Sequence, residues 1–194
     1  CIQSIPLGLT NRTQETPLHP VLGNENHFFL ADSEYEFPLG FHPRLYVNFT
    51  AGNNKSSRKR LIDALRNLPP HFEVTYEQPE FTDEGRVRFL GMCRRINFVL
   101  CPEGNGIDTH RLWETLYMGG VPIVKNNPYM NSLFERLPVV KVSRWEDLGT
   151  PNFLEQEWIR VRSLTWDKAV LLQSYWSSVV TSMAGGASPR KADP

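Results

Sequence analysis

Between residues 44 and about 145, short apolar runs alternate with helical patterns, and few folds accommodate that rhythm. RLYVNFT, from residue 44, is rich in Tyr, Val and Phe and reads as a strand. The loop AGNNKSS follows. Ser56 or Ser57 is expected to cap a helix over RKRLIDALRNL, in which Leu61, Ile62, Leu65 and Leu68 share one face. Pro69-Pro70 ends it. FEVTY reads as a second strand, and FTDEGRVRFLGMCRRI as a helix with Phe89, Met92 and Ile96 inward. NFVLCP is a third strand, apolar throughout as burial on both faces requires. A helix from about Thr109 to Met118, the strand VPIVK, a short helix near MNSLFERL and the strand PVVKVS complete the series. A further helix begins within WEDLGTPNFLEQEWIRVRSL, and DKAVLLQSYWSSVVTSM predicts a last amphipathic one.

Strand–helix–strand units cross over right-handedly and lay their strands parallel. The expected fold is therefore α/β: a doubly wound, mainly parallel sheet of about five strands with helices on both faces. A chain of 194 residues suits one core of good size rather than two full domains. The expected organisation is an irregular lead-in over 1–43, one domain over 44–182 and a flexible tail over 183–194, where AGGASPRKADP is small and polar. The start at Cys1 reads as that of a trimmed or partial product.

Charge and cysteine usage narrow the function classes. Lys and Arg number 21 against 21 Asp and Glu, so no global field draws in nucleic acid, and none is expected as a partner. No apolar run approaches the roughly 20 residues of a membrane-spanning helix. The cysteines, Cys1, Cys93 and Cys101, have no C-x-x-C spacing and fit neither a disulfide framework nor a zinc site. Cys93 and Cys101 lie in apolar runs and read as small core residues. The histidines are scattered, so no metal site is expected, and no Ser-His-Asp set is readable. The sequons at Asn11, Asn48 and Asn54 matter only in a secreted chain and are read as chance occurrences.

In doubly wound sheets ligands bind beyond the carboxyl ends of the strands, at the switch point. PEGNGIDTH follows the third strand and NFTAGNNKSSR the first, so both loops are expected to face one crevice. Gly104 and Gly106, either side of Asn105, permit close backbone approach. Asp108 or Thr109 can cap the next helix, whose free N–H groups and positive dipole end attract phosphate. Arg111, in the first turn, can add a bidentate contact. Glu114, a turn further on, suits the two hydroxyls of a ribose. His110 shares a face with Glu114 at i and i+4. The plainer alternative is a His110–Glu114 pair, a surface Arg111 and a loop that holds nothing. The loop is neither a P-loop, since no GK[ST] follows, nor the dinucleotide fingerprint.

From the other loop Asn48, Thr50, Asn53, Lys55 and Arg58 are anion-capable, whereas Lys59 and Arg60 read as a solvated basic face. Glu103 either reaches a ligand or orients its loop. Lys125, Asn126 and Asn127 are weaker candidates for the crevice rim, and Trp113 and Tyr117 read as packing. The candidate binding set is thus Asn48, Lys55, Arg58, Glu103, Gly104, Asn105, Gly106, Asp108, Thr109, His110, Arg111 and Glu114. No residue is assigned as a catalytic base.

FVLCPEGNGIDTHRLWETLYMGGVPIVKN, followed by LPVVKVSRWEDL, resembles the exostosin-like glycosyltransferases. The shared elements are a strand ending in Pro and Gly, an Arg-centred helix start, a helical Glu, a Gly before Val-Pro-Ile-Val and a later Val-x-Val strand. NFT with its downstream Arg, and SIPLGL, look like the first strand and the segment leading into it. The resemblance runs over roughly 2–180 and is dense over 97–147; fucosyltransferase-like enzymes share a similar outline. It implies the donor-binding, carboxyl-terminal Rossmann-like half of a B-type glycosyltransferase fold. It further implies an inverting, metal-independent transfer from a nucleoside-diphosphate sugar, which is co-substrate rather than cofactor, to a carbohydrate acceptor. On that reading Glu114 holds the ribose, Arg111 and the 105–110 backbone hold the diphosphate, and Arg58 and Lys55 assist. The resemblance also implies an amino-terminal acceptor domain that supplies the base. The 43 residues before the first strand are too few for it, so it is expected on a missing segment or a separate subunit. Asp108 and His110 sit where donor phosphates belong and are not read as that base. A nucleotide- or sugar-binding module without turnover is the alternative.

Overall fold

The computed structural model describes residues 41–166 and 168–184. SIPLGL with the rest of the lead-in up to residue 40, and the tail beyond 184, lie outside the described residues. Five strands, β1 (Arg44–Val47), β2 (Glu73–Tyr76), β3 (Phe98–Leu100), β4 (Val121–Lys125) and β5 (Val140–Val142), form one sheet in the order β2-β1-β3-β4-β5. Every pairing is parallel. The helices are α1 (Lys55–Arg66), α2 (Asp83–Arg95), α3 (His110–Tyr117), the single turn α4 (Asn131–Phe134), α5 (Phe153–Ser163) and α6 (Gln173–Ala184). The expected α/β Rossmann-like architecture is the one observed.

Alternation along each strand divides the core into two layers. Leu45, Val47, Phe98, Leu100, Val121 and Ile123 point to one face, with Leu61 and Leu65 of α1, Trp145 and Trp158. Tyr46, Val99, Cys101 and Val124 point to the other, with Phe89 and Leu90 of α2 and Leu112, Trp113 and Leu116 of α3. β3 and β4 are buried on both sides, which is why their sequences carry no polar alternation. Burying a Leu, Ile or Phe fully contributes roughly 1.5–3 kcal/mol.

Glycines settle one junction. α3 ends in a Schellman turn: Gly120 N–H donates to the Thr115 carbonyl and Gly119 N–H to that of Leu116. Gly119 takes φ 72°, where a side chain is strained. A Cβ on Gly120 would lie 2.4 Å from the Cys93 carbonyl oxygen, so this turn can tuck against the end of α2 only as glycine.

Two expected helix boundaries shift. α1 starts at Lys55, capped by Asn54 in the left-handed region (φ 46°), not at Ser56 or Ser57. Asn tolerates that conformation, and the helix gains two or three residues. The last expected helix is two pieces, a 3-10 turn over Lys168–Leu171 and then α6. The turn is held by the Val170 carbonyl, which accepts from the Trp176 indole at 2.8 Å, and by the Leu171 carbonyl, which accepts from the Tyr117 hydroxyl. No helix among the described residues is long and apolar enough to cross a membrane.

Candidate functional site

Strand order reverses between β1 and β3, because the chain leaves β1 toward β2 on one side and later adds β3 on the other. The loops after these two strands, 48–54 and 101–109, therefore flank the switch point, and α1 and α3 both start there. Arg58, in the first turn of α1, joins the loops. Its Nε donates to the Glu103 carbonyl at 3.1 Å and its Nη1 to the Thr50 carbonyl at 2.6 Å. Gly104 eases this approach, since a Cβ there would sit 3.3 Å from both Arg58 Nη2 and the Thr109 methyl, a tight contact on each.

Arg58 is only 5% exposed. Its guanidinium lies 5.4 Å from the centroid of Phe49, and that of Arg111 lies 6.0 Å from the same ring. Burial first, and the neighbouring Arg111 charge second, lower the Arg58 pKa to about 10. Neither guanidinium has an ion pair among the described residues. Cation–π contacts to one ring, worth about 0.5–2 kcal/mol each, do not neutralise two like charges.

The helix starts add donors. Neither Asn54 nor Thr109, the caps of α1 and α3, makes a side-chain capping bond, and neither helix has an acidic residue in its first turn. Ser57 Oγ, Thr109 Oγ1 and Arg111 Nε are buried without a hydrogen-bond partner. Such groups normally find one, because leaving one unmet costs about 1–3 kcal/mol. The two helix starts, the two guanidiniums over Phe49 and the orphaned Thr109 hydroxyl meet beside Gly104. What they can do together is bind an anion with several oxygens.

The other candidates divide. Gly104, Thr109, Arg111 and the Glu103 backbone join Arg58 at this place, while Asn105 and Gly106 lie exposed at the loop tip and His110 half-buried at the first position of α3. Lys55 is exposed at the start of α1. Asn48 is buried, and its amide donates to the Tyr46 hydroxyl at 3.1 Å, which itself donates to Glu77 at 2.6 Å. Asn48 thus anchors the first loop to the sheet. Asp108 accepts from the Trp113 indole at 2.8 Å, which turns its carboxylate toward the core side of α3. Trp113 and Tyr117 pack, as expected. Glu114 is 2% exposed and ion-paired with Arg86 of α2, whose guanidinium lies 5.7 Å from the Phe89 ring. At the end of β4, the Asn126 amide donates to the Val142 carbonyl of β5, and the Asn127 side chain accepts from the Tyr129 amide of its own turn.

Sequence reasoning missed Phe49 and Arg86. For Phe49 the available signal was an aromatic directly after a strand, between two helix starts that each carry an Arg. For Arg86 there was none, because its partner is 28 residues away on another helix.

A cavity of about 400 Å3 lies elsewhere, against the carboxyl-terminal half of α1, lined by Asp63, Asn67, Leu68, Glu146 and Thr150 among others. It contains none of the candidate residues, and its two carboxylates would repel an anion. Among the described residues no three His, Cys, Asp or Glu side chains cluster as a metal centre would need. No protein-family model matches the chain, and no curated protein matches it.

Proposed function

We propose that this chain is the donor-binding domain of a glycosyltransferase, holding a nucleoside-diphosphate sugar at the β1–β3 switch point. The observation that carries the reading is the Arg58–Phe49–Arg111 arrangement between two uncapped helix starts. Two uncompensated cations, one of them almost fully buried, are costly unless an anion completes the site. A diphosphate is of the right charge and offers enough oxygens. The exostosin-like pattern of the loop and helix supplies the rest: a sugar on that diphosphate and a ribose near Glu114.

In the reaction an acceptor hydroxyl attacks the anomeric carbon while the bond from that carbon to the diphosphate oxygen breaks, with inversion. Negative charge grows on the leaving diphosphate. On this reading Arg58, Arg111 and the two helix starts stabilise it, and the hydrogen bonds that fix Arg58 to the Glu103 and Thr50 carbonyls limit the reorganisation this requires. The hydroxyl proton passes to a base outside the residues named here. A second reading, binding without turnover, draws on the Asp108–Trp113 bond, which takes one crevice carboxylate out of play as that base.

Calorimetric titration with UDP, GDP and inorganic diphosphate tests the site. One nucleoside diphosphate is expected to bind, and Arg111→Gln to weaken it roughly tenfold to a hundredfold, from a charge-assisted contact of about 1.5–3 kcal/mol. Glu114→Gln is expected to weaken the nucleotide but not inorganic diphosphate, which has no ribose. If no diphosphate binds, or if Arg111→Gln binds as tightly as wild type, the proposal fails. Transfer to an acceptor glycan, or its absence with a sugar nucleotide bound, separates the two readings.

A further inference from the structure

Glu114 lies three residues beyond Arg111 on α3, and side chains at that spacing are neighbours on a helix surface. An Arg and a Glu so placed are within reach of each other. Here they do not pair. Arg111 has no ion pair among the described residues, and its Nε is buried without a hydrogen-bond partner. The Glu114 carboxylate instead meets Arg86, which reaches across from α2. The pair is well shielded, with side-chain exposures of 16% for Arg86 and 3% for Glu114. Arg86 is itself fixed, its guanidinium against Phe89, whose ring lies 6.1 Å from that of Tyr46 of β1, tilted by 31°.

We infer that Arg86 is a positioning residue of the anion site: by holding Glu114 it keeps that carboxylate off Arg111 and leaves the Arg111 charge available to a ligand. The inference rests on the reading of Arg58 and Arg111 as an anion site. Its logic is competition. A free carboxylate one helical turn from Arg111 would occupy the guanidinium that a diphosphate needs, and it would repel the diphosphate as well. A second guanidinium on the neighbouring helix removes that competitor without removing the carboxylate. Glu114 would then be a residue that must be kept occupied.

The test uses inorganic diphosphate as probe, since it has no ribose for Glu114 to hold. Affinity is measured by calorimetry at fixed low salt on wild type, Arg86→Gln, Arg86→Lys, Arg111→Gln and the double variant Arg86→Gln with Glu114→Gln, with circular dichroism to confirm folding. Arg86→Gln frees the carboxylate and is expected to weaken binding at least tenfold. Arg86→Lys keeps a cation but loses the planar fork, and a loss of about threefold is expected. The double variant has neither cation nor carboxylate and is expected to return to within about threefold of wild type. A purely structural role for Arg86 predicts no such rescue. Arg86→Gln leaves a buried carboxylate unpaired and can fail to fold; the Lys variant and the double variant then carry the test. Unchanged affinity in the folded single variants, or a double variant at least tenfold weaker than wild type, overturns the inference while the site stands. Absence of binding by wild type, or binding indifferent to Arg111→Gln, overturns the anion site and the inference with it.

Discussion

A Cβ built on Gly120 would lie 2.4 Å from the Cys93 carbonyl oxygen and 3.0 Å from the Thr115 methyl. The first neighbour is backbone, at the end of α2, and cannot rotate away. Gly120→Ala therefore forces the turn after α3 off α2, and overpacking of that kind costs about 1–3 kcal/mol. Gly91, inside α2, is the control: nothing lies within 4 Å of where its Cβ would be, and φ there is ordinary. Gly91→Ala is expected to stabilise by about 0.5–1 kcal/mol, through lower entropy of the unfolded chain and better helix propensity. Urea denaturation of the two variants reads both signs. A Gly120→Ala protein as stable as wild type would mean that α2 and the α3 turn do not meet as described. The same contact matters to the site, because the turn that Gly120 closes belongs to the helix whose other end carries Thr109 and Arg111.

At the scale of elements, α3 is eight residues long and is held by Leu112, Trp113 and Leu116 and by its Schellman turn, not by its amino-terminal cap. Its Thr109 cap has the extended backbone of a good N-cap, φ −136° and ψ 154°, yet makes no side-chain bond. Thr109→Asp places a carboxylate where the helix dipole and the free N–H groups favour one. A stability gain of about 0.5–1 kcal/mol is expected. The same carboxylate sits in the seat proposed for the diphosphate, so binding is expected to fall more than tenfold. Melting and titration on one sample check both, and a stabilised variant that still binds diphosphate normally would move the anion away from α3. This conflict between a helix and a ligand was partly legible in the sequence. Gly-rich loops, an Arg in each first turn and the strand alternation all lie within windows of a dozen residues, which periodicity reads well. Residues that act across elements were not legible: Phe49 beneath two guanidiniums, Arg86 reaching α3 from α2, Asp108 drawn to Trp113. A local window also cannot tell an Asn54 cap in the left-handed region from a Ser56 cap two residues later. Both sequences are good helix starts, and packing of Leu61 and Leu65 decides between them.

Across the whole molecule, the layer that joins β1 and β3 to α2 and α3 contains acidic groups that fold in their neutral form. Cys93 and Cys101 are buried on either side of the Thr115 hydroxyl, at 3.7 and 3.9 Å. Burial pushes the Cys101 thiol up from 9.0 to about 12, and the Cys93 thiol higher still. In the unfolded chain both lose their protons from about pH 9, whereas the folded chain retains them. Groups raised on folding contribute fully below their unfolded pKa and lose that contribution as pH rises above it. Stability should therefore hold to about pH 9 and then fall, by on the order of 2 kcal/mol between pH 9 and 10 for two thiols. Two further groups begin to act near pH 10 and oppose each other. The Tyr46 hydroxyl, raised by burial and by Glu77, adds to the fall, while Arg58, lowered to about 10 by burial and by Arg111, works against it. Urea midpoints at pH 8, 9 and 10 give the profile. Replacing both residues, Cys93→Ala with Cys101→Ala, should lower stability at pH 8 by removing buried sulfur, yet flatten the decline from 9 to 10. A wild-type profile that stays level to pH 10, or a decline that survives the double replacement, would show that these thiols are not sealed in the core, and with them the packing of α2 on α3 that sets Arg86 against Glu114.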